Sequence, residues 1–364
     1  MLSRKRINLL MISSSSTLGG GTKHMFDLGK KLNYEFKVFY AIPKNNNFQN
    51  FLSSSNHIFI CEREINFVDI INLREFIYAN SIDIIHSHGK GAGVLGRILR
   101  IFVKKPLVYT FHGIHLKCHS CLIRLIYKIY EFSLGWIDSV KVLVSKSEKN
   151  YAIKNNVYIG NKSVIINNGV LNKQIKEYKL FTKQLENLNR TNVISICRFV
   201  SQKNIEEILQ IAQKLTNINF SIIGDGPLWK EINSLLKSKK LNNVYLLGEK
   251  KNIFKYLYSA DIYLSTSLYE GLPISILEAM SIGIPILASN VTGNCDTIEH
   301  GKSGFLYELH DIEMAKKYLL KLADNESLRI GIGYNAFNRQ RKRFSMDLMI
   351  NKYRNLYRDL IDIT

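Results

Sequence analysis

Short apolar runs alternate with amphipathic stretches along almost the whole chain, and that alternation limits the folds open to it. Ile7–Ser13, Phe36–Tyr40, Ile82–His86, Leu107–Thr110, Val140–Val144 and Val164–Ile166 read as strands, with a first helix from about Thr22 to Leu32. A continuously apolar strand is covered on both faces, and helices between successive strands make parallel crossover connections. The pattern fades over Lys173–Arg190, where Lys, Glu, Gln, Asn and Thr dominate, and this stretch reads as a domain boundary. A second series begins at Val193–Cys197 and continues with a helix from Asn204 to about Leu215 and a strand at Asn219–Ile223. A Gly-Asp-Gly-Pro turn, a helix to about Leu236 and strands at Val244–Leu247, Ile262–Ser265, Ile284–Ala288 and Gly304–Leu306 follow. A helix begins near Asp311, and Glu326–Ile361 reads as helix bent around Arg343-Phe344-Ser345.

The expectation is an α/β chain of two Rossmann-like domains facing across a cleft at the carboxyl ends of their strands. The domains are placed at 1–172 and 191–340, with a linker region at 173–190. The terminal helix at 341–364 is long enough to pack back on the first domain. A length of 364 residues agrees, at roughly 150 residues per domain.

Composition removes several classes. Hydrophobic residues make up 46% and charged residues 22%, enough for two cores and unlike a disordered chain. No apolar run is long enough for a spanning helix. The basic Met1–Arg6 resembles the head of an export signal, but Ile7–Ile12 is short and runs into serines and glycines, so it reads as a strand and turn. Five cysteines, an odd count, do not make a disulfide framework, and a reducing compartment is expected. Cys118 and Cys121 form a CxxC near His112, His115 and His119, yet there is no second pair to complete a zinc site, and they read as ordinary residues at a helix start. The unusual number is a net charge of +20, which suits a partner or substrate that is polyanionic.

Several strand ends carry chemistry. Gly19-Gly20-Gly21-Thr22 opens the first helix directly after the first strand, so Gly20 and Gly21 allow a ligand close to the backbone; the dinucleotide pattern G-x-G-x-x-G is missing. Asp83-Ile84-Ile85-His86-Ser87-His88-Gly89 and Tyr109-Thr110-Phe111-His112-Gly113 place histidines at strand ends. There His112 can donate to a hydroxyl or a developing charge, and His86 and His88 are acceptor or loop candidates. In the second half, Arg198 ends a strand and Lys203 precedes a helix, a pair of cations suited to a diphosphate. Gly224 opens a glycine turn. In Ser267–Met280, Glu270 stands in a turn with Gly271 and Leu272, and Glu278 lies on the helix that follows. Carboxylates accept from sugar hydroxyls, and free backbone N–H groups receive phosphate.

These segments, in this order, resemble the retaining GT-B glycosyltransferases of family 4. The resemblance runs from Ile7 to the C-terminal helix. Its clearest stretch is Glu270 through Glu278 within YEGLPISILEAMSIGIPILASN, continued by Val291-Thr292-Gly293-Asn294, Asp296 and Gly301–Leu306. GGGT at 19–22, FHG at 111–113, VSKS at 144–147, NNGV at 167–170, Arg198 with Lys203, and Gly224–Pro227 complete it. The resemblance implies a nucleotide-diphosphate sugar, expected to be UDP-linked, held mainly by the second domain, and an acceptor held mainly by the first. It implies Arg198 and Lys203 on the diphosphate, Glu278 on the ribose, Glu270 on sugar hydroxyls, His112 over the sugar, and Gly20 and Gly21 near diphosphate and acceptor. It implies no cofactor and no metal, and the sequence has no D-x-D at a strand end to carry Mg²⁺. Asp296 stands where glutamate is frequent, and NNGV continues into Leu171-Asn172 instead of an acidic residue.

Twelve Lys/Arg and three Asp/Glu lie between Lys90 and Lys154, interleaved with Phe102, Ile123, Ile126, Tyr127, Tyr130, Phe132 and Trp136. That mixture suits either an anionic membrane surface or a solvated helix face above an ordinary core. With a lipid-linked or glycan acceptor, the setting would be bacterial capsule, O-antigen or similar surface-polysaccharide synthesis, at the inner face of the cell membrane. Other readings are a GT-B enzyme of another kind, such as a nucleotide-sugar 2-epimerase, and a basic nucleic-acid-binding protein. No recognition helix, zinc finger or OB pattern supports the latter, so no nucleic-acid partner is expected. Oligomeric state is not legible.

Overall fold

A computed structural model describes residues 6–17, 19–52, 56–116, 120–160, 162–175 and 190–362. Cys118 and His119 of the CxxC region, and most of the linker expected at 173–190, lie outside the described residues. The chain divides into two compact units, one of residues 1–168 with 348–364 and one of residues 169–347.

The first unit contains β1 (Ile7–Ser13), α1 (Gly20–Leu32), β2 (Phe36–Ile42), β3 (His57–Phe59), α2 (Phe67–Ala79), β4 (Ile84–His88) and α3 (Lys90–Val103). It continues with β5 (Leu107–Thr110), α4 (Cys121–Leu134), β6 (Val140–Leu143), α5 (Lys146–Lys154) and β7 (Ser163–Ile165). All strand pairs are parallel, in the order β3-β2-β1-β4-β5-β6-β7. The expectation from sequence omitted the edge strand β3 and helix α2: β3 is only three residues long with its last residue exposed, and the apolar residues of α2 are spread round the helix, with Phe67, Val68 and Ile71 exposed and Leu73 and Ile77 buried.

The second unit contains β8 (Asn192–Ile196), α6 (Ile205–Gln213), β9 (Asn219–Ile223), α7 (Trp229–Ser238), β10 (Val244–Gly248), α8 (Ile253–Leu257) and β11 (Ile262–Ser265). After these come α9 (Ile274–Met280), β12 (Ile286–Ser289), α10 (Asn294–Thr297), β13 (Gly304–Tyr307), α11 (Ile312–Ala323) and α12 (Glu326–Arg343). Its sheet is parallel in the order β10-β9-β8-β11-β12-β13. The last helix, α13 (Met346–Asp362), starts at the end of this unit and returns to the first.

Both units start their first strand with the same device. The Asp83 carboxylate accepts from the Asn8 backbone N–H at 2.8 Å, and the Asp261 carboxylate accepts from that of Asn192 at 2.9 Å. An edge N–H that the ladder leaves open is thereby satisfied. Above these starts the strands are apolar on both faces, so helices must cover both. Leu10, Ile12, Phe39 and Ile85 meet Leu73 and Ile77 of α2 and Leu95 and Leu99 of α3 in one core. Phe220, Ile222 and Leu264 meet Ile208, Leu209 and Leu319 in the other.

Helix α13 completes the opposite face of the first sheet. His86 of β4 is fully buried, its Nδ1 2.6 Å from the Tyr357 hydroxyl and its Nε2 2.8 Å from Thr110 Oγ1. Glu35 pairs with Arg354 at 2.6 Å and Arg358 at 2.9 Å at the rim. Both ring nitrogens of His86, an acceptor or loop candidate, are therefore taken, and its ring lies in the interior, where it ties strand to helix.

Candidate active site

Each sheet reverses its strand order beside its first strand: β1 lies between β2 and β4, and β8 between β9 and β11. Loops leaving such neighbours diverge, and the opening at the carboxyl ends is where open α/β sheets hold ligands. The sequence candidates gather at these two points, one in each unit.

In the second unit, the segment after β8 carries Arg198 and Lys203. It is set backbone to backbone against the turn after β9. The Cys197 N–H donates to Ile223 O at 3.0 Å and the Phe199 N–H to Asp225 O at 2.9 Å. A Cβ at Gly224, which has φ +140°, would lie 1.8 Å from the Cys197 carbonyl oxygen. Only glycine fits there, so Gly224 shapes the loop that presents Arg198. Arg198 is exposed. Lys203 ends a 3-10 turn, and its Nζ reaches Glu270 Oε1 at 2.5 Å. The Ser267 hydroxyl donates to the same oxygen at 2.7 Å. Two side chains with separate expected tasks, Lys203 on diphosphate and Glu270 on sugar hydroxyls, thus meet in one ion pair.

The surrounding hydrogen bonds fix this pair. Thr266 Oγ1 donates to the carbonyls of Lys203 and Asn204, each at 2.9 Å. Gln202 Nε2 donates to Tyr269 O at 2.8 Å, and the Leu268 N–H donates to Gln202 O at 2.8 Å. Loops after β8 and β11 are therefore tied across the switch point. Glu270 N–H donates to Thr292 O, and Gly293 packs so close that a Cβ would meet Gly271 O at 2.7 Å. Gly271 and Leu272 are buried in the turn before α9, and Glu278 is buried within that helix. A small pocket opens here, lined by Cys197, Lys203, Tyr263, Thr266, Glu270 and Ser275. Burial pushes the Cys197 thiol up to about 12, so it stays protonated and is no nucleophile at neutral pH.

In the first unit, α1 begins at Gly20 immediately after the glycine turn. A Cβ at Gly21 would stand 3.3 Å from the His112 ring, so the helix start lies directly against that imidazole. His112 and Gly113 follow β5 with φ of +59° and +115°. This left-handed turn is held by Glu148, fully buried, whose carboxylate accepts from the N–H of Gly113 at 2.6 Å and of Val144 at 2.7 Å. His112 Nε2 lies 3.0 Å from His88 Nδ1. The His24 ring completes the group, its centroid 4.8 Å from that of His112.

Burial lowers the His24 pKa to about 4, partly offset by a hydrogen bond with Asn168. Burial also holds His88 and His112 well below the ordinary imidazole value, and neighbouring imidazoles add to the effect. All three are neutral at pH 7, so the His88–His112 contact is a neutral hydrogen bond with one ring donating. The ring nitrogens of His24, His88 and His112 lie within 4.8 Å of one another, the one such grouping of three metal-type ligands among the described residues. His24 Nε2 and His88 Nε2 are buried without hydrogen-bond partners. If any residues here hold a transition metal, it is these three.

Sequence reasoning missed His24, Glu148 and Ser267. Ser145-x-x-Glu148 spells a helix-capping box, and Ser145 Oγ does accept from the Glu148 N–H at 3.1 Å. The carboxylate, however, turns to the His112 loop instead of closing the box.

Two tandem open parallel sheets, each with a reversal of strand order, are the architecture of a GT-B fold, the fold of one large class of glycosyltransferases. The family models agree: residues 18–171 match Glycosyltransferase Family 4, and residues 176–339 match Glycosyl transferases group 1. The chain belongs to these glycosyltransferases. It is 28% identical over 311 residues to the UDP-Gal:alpha-D-GlcNAc-diphosphoundecaprenol alpha-1,3-galactosyltransferase of Escherichia coli, covering 80% of this chain and 79% of that one. It is 25% identical over 378 residues to the capsular polysaccharide biosynthesis glycosyltransferase CapM of Staphylococcus aureus, covering 98% and 97%. Among solved structures, Anabaena HepE in complex with UDP-glucose has the same fold, with a TM-score of 0.85, 18% identity and coverage of 97% and 100%.

Proposed function

We propose that this glycosyltransferase moves a hexosyl or N-acetylhexosaminyl group from a UDP-sugar to a hydroxyl of a glycan or lipid-linked acceptor in surface-polysaccharide synthesis. The observation that carries this reading is the Lys203–Glu270–Ser267 network at the strand reversal of the second unit. It presents a cation and a buried carboxylate side by side, the pair needed to hold a diphosphate and a sugar hydroxyl together. A UDP donor and a polysaccharide pathway follow the printed functions of the relatives.

In this reading Arg198 and Lys203 neutralise the diphosphate as it leaves. Glu270 accepts from sugar hydroxyls, with the backbone of Gly271 and Leu272 beside it, and Glu278 accepts from the ribose. Neutral His112 donates to a sugar hydroxyl near the reacting carbon, oriented by His88 and by the turn that Glu148 clamps. Gly20 and Gly21 keep the first helix start clear for the diphosphate and acceptor. The acceptor oxygen bonds to the anomeric carbon on the face from which the diphosphate departs, and the carbon–diphosphate bond breaks. A departing diphosphate oxygen takes the acceptor proton, so configuration is retained. The cations supply the charge stabilisation, and no metal is required. An acceptor carried on lipid places the enzyme peripherally at the inner, anionic face of the cell membrane. No described helix is long and apolar enough to cross a membrane.

The test is incubation with a panel of radiolabelled sugar nucleotides, with and without acceptor, followed by linkage analysis. An α-linked product from an α-linked donor, formed equally well with chelator present, is expected. Release of UDP with an epimerised free sugar and no acceptor dependence would replace transfer by epimerase chemistry.

A further inference from the structure

Helix α4 is inverted. Its one buried side chain is charged: Glu131. Around Glu131 lies a closed ionic cluster. Arg97 Nη2 donates to Glu131 at 2.7 Å and to Asp138 at 2.6 Å, while its Nε donates to the other Asp138 oxygen at 2.9 Å. Lys141 Nζ lies 3.6 Å from both carboxylates. Tyr127 and Tyr130 flank the cluster, the Tyr130 ring 4.8 Å from the Arg97 guanidinium. The opposite stripe, at helical spacing, is Leu122, Leu125, Ile126, Ile129 and Phe132, all exposed, and Trp136 continues it, 72% exposed. A water-facing helix has these two stripes the other way round.

We propose that α4 lies in the headgroup region of an anionic bilayer, with this apolar stripe inserted among the acyl chains. The proposal rests on the membrane-side acceptor of the preceding reading. Charge chooses the occupant. The segment from Lys90 to Lys154 holds three carboxylates, and all of them, Glu131, Asp138 and Glu148, are buried. Its remaining charges outside the Arg97 and Lys141 cluster are cations, Arg124 and Lys128 of α4 among them. A second copy docked on the same face would bring cation against cation with no carboxylate between. An anionic headgroup layer meets both the charge and the apolar stripe. The ionic cluster beneath fixes the helix's rotation, so the stripe cannot turn inward without stranding Glu131.

The full chain is tested with vesicles of phosphatidylglycerol and phosphatidylcholine in equal parts, at low salt. Binding is expected, with a blue shift of Trp136 emission and its quenching by acyl-chain-brominated lipid; Trp136→Phe should lose both signals while Trp229 remains. Ile126→Asp combined with Ile129→Asp should weaken binding about a hundredfold. Wild-type protein that stays in the supernatant, a double variant that binds as well as wild type, or equal binding to pure phosphatidylcholine vesicles would overturn the proposal. So would a wild-type dimer that the double variant converts to monomers. Transfer to a short, water-soluble acceptor is measured separately. Its retention in the double variant is expected, since α4 lies outside the machinery, and its absence from the wild type would sink the transferase reading while leaving the vesicle result standing.

Discussion

Lys203→Met is the most informative single change, because it separates holding from catalysis. The pair it breaks is neither surface nor core: the Lys203 side chain is 19% exposed and that of Glu270 is 9%. Exposed pairs contribute about 0–1 kcal/mol, and breaking a fully buried pair costs about 3–5 kcal/mol. The geometry lies between, so the loss should be about 2 kcal/mol, chiefly because Glu270 keeps only Ser267 as a partner. Methionine retains the apolar stem, so little packing is lost. Glu270→Gln alone should cost less, about 1 kcal/mol, since Lys203 retains more access to water. Combined, the two changes should restore about 1.5 kcal/mol relative to their sum. Denaturant unfolding of the second unit can be followed by Trp229, whose ring packs 4.8 Å from that of Phe199, in a Trp136→Phe background. Transfer should behave differently. Removing the cation should cut kcat/KM about a hundredfold, and the double variant should not recover it. Additivity in stability within about 0.3 kcal/mol would refute the ion-pair argument. Recovery of transfer in the double variant would show that neither the Lys203 cation nor the Glu270 carboxylate is needed for transfer, and that the single change acts only by leaving Glu270 unpaired.

Arg198→Ala should leave unfolding unchanged, because the side chain is exposed, and lower transfer about a hundredfold; undiminished turnover would remove Arg198 from the diphosphate site. Glu131→Ala leaves Arg97 and Lys141 sharing Asp138 alone and should destabilise the first unit by about 3–5 kcal/mol, read from Trp136 emission during denaturation. Tyr357→Phe removes the partner of His86 Nδ1 and should cost about 1–2 kcal/mol in the same assay. His24, His86, His88 and His112 all have folded pKa values below the unfolded value, with His24 near 4. The unfolded chain therefore takes up protons first as pH falls, and stability present above about pH 6.5 should decline towards pH 4 by up to about 1.4 kcal/mol per group per pH unit. Calorimetry at pH 7.5 and 5.5 measures this, and a flat profile would contradict the buried neutral cluster.

The sequence reports which residues share a face, and not always which way the face points. Strands of the two sheets were legible because a run apolar on both faces has one solution in a parallel sheet. The sequence brought Arg198, Lys203 and Glu270 forward as charges after strands, but not the pairing of Lys203 with Glu270, because strand order and the packing of one loop on another are not visible along the chain. The tie at His86 was hidden for a physical reason: a histidine two residues from His88 on one strand shares its side of the sheet, and the sequence does not show that Tyr357, 271 residues away in the chain, comes back to meet it. Glu148 was hidden because nothing along the chain shows its carboxylate turning from its own helix start to the N–H groups of Gly113 and Val144. Helix α4 is the sharpest case. Its apolar and polar stripes have ordinary helical spacing, and that spacing is identical whether the apolar stripe seals a core or meets a bilayer. Reading +20 as an external charge was equally incomplete, since two of the cations between Lys90 and Lys154 are consumed inside, against the carboxylates that would otherwise have neutralised the surface. Internal pairing takes Glu131 and Asp138 out of the surface charge of this segment, so the inverted helix and much of the segment's charge excess are two consequences of the same buried cluster.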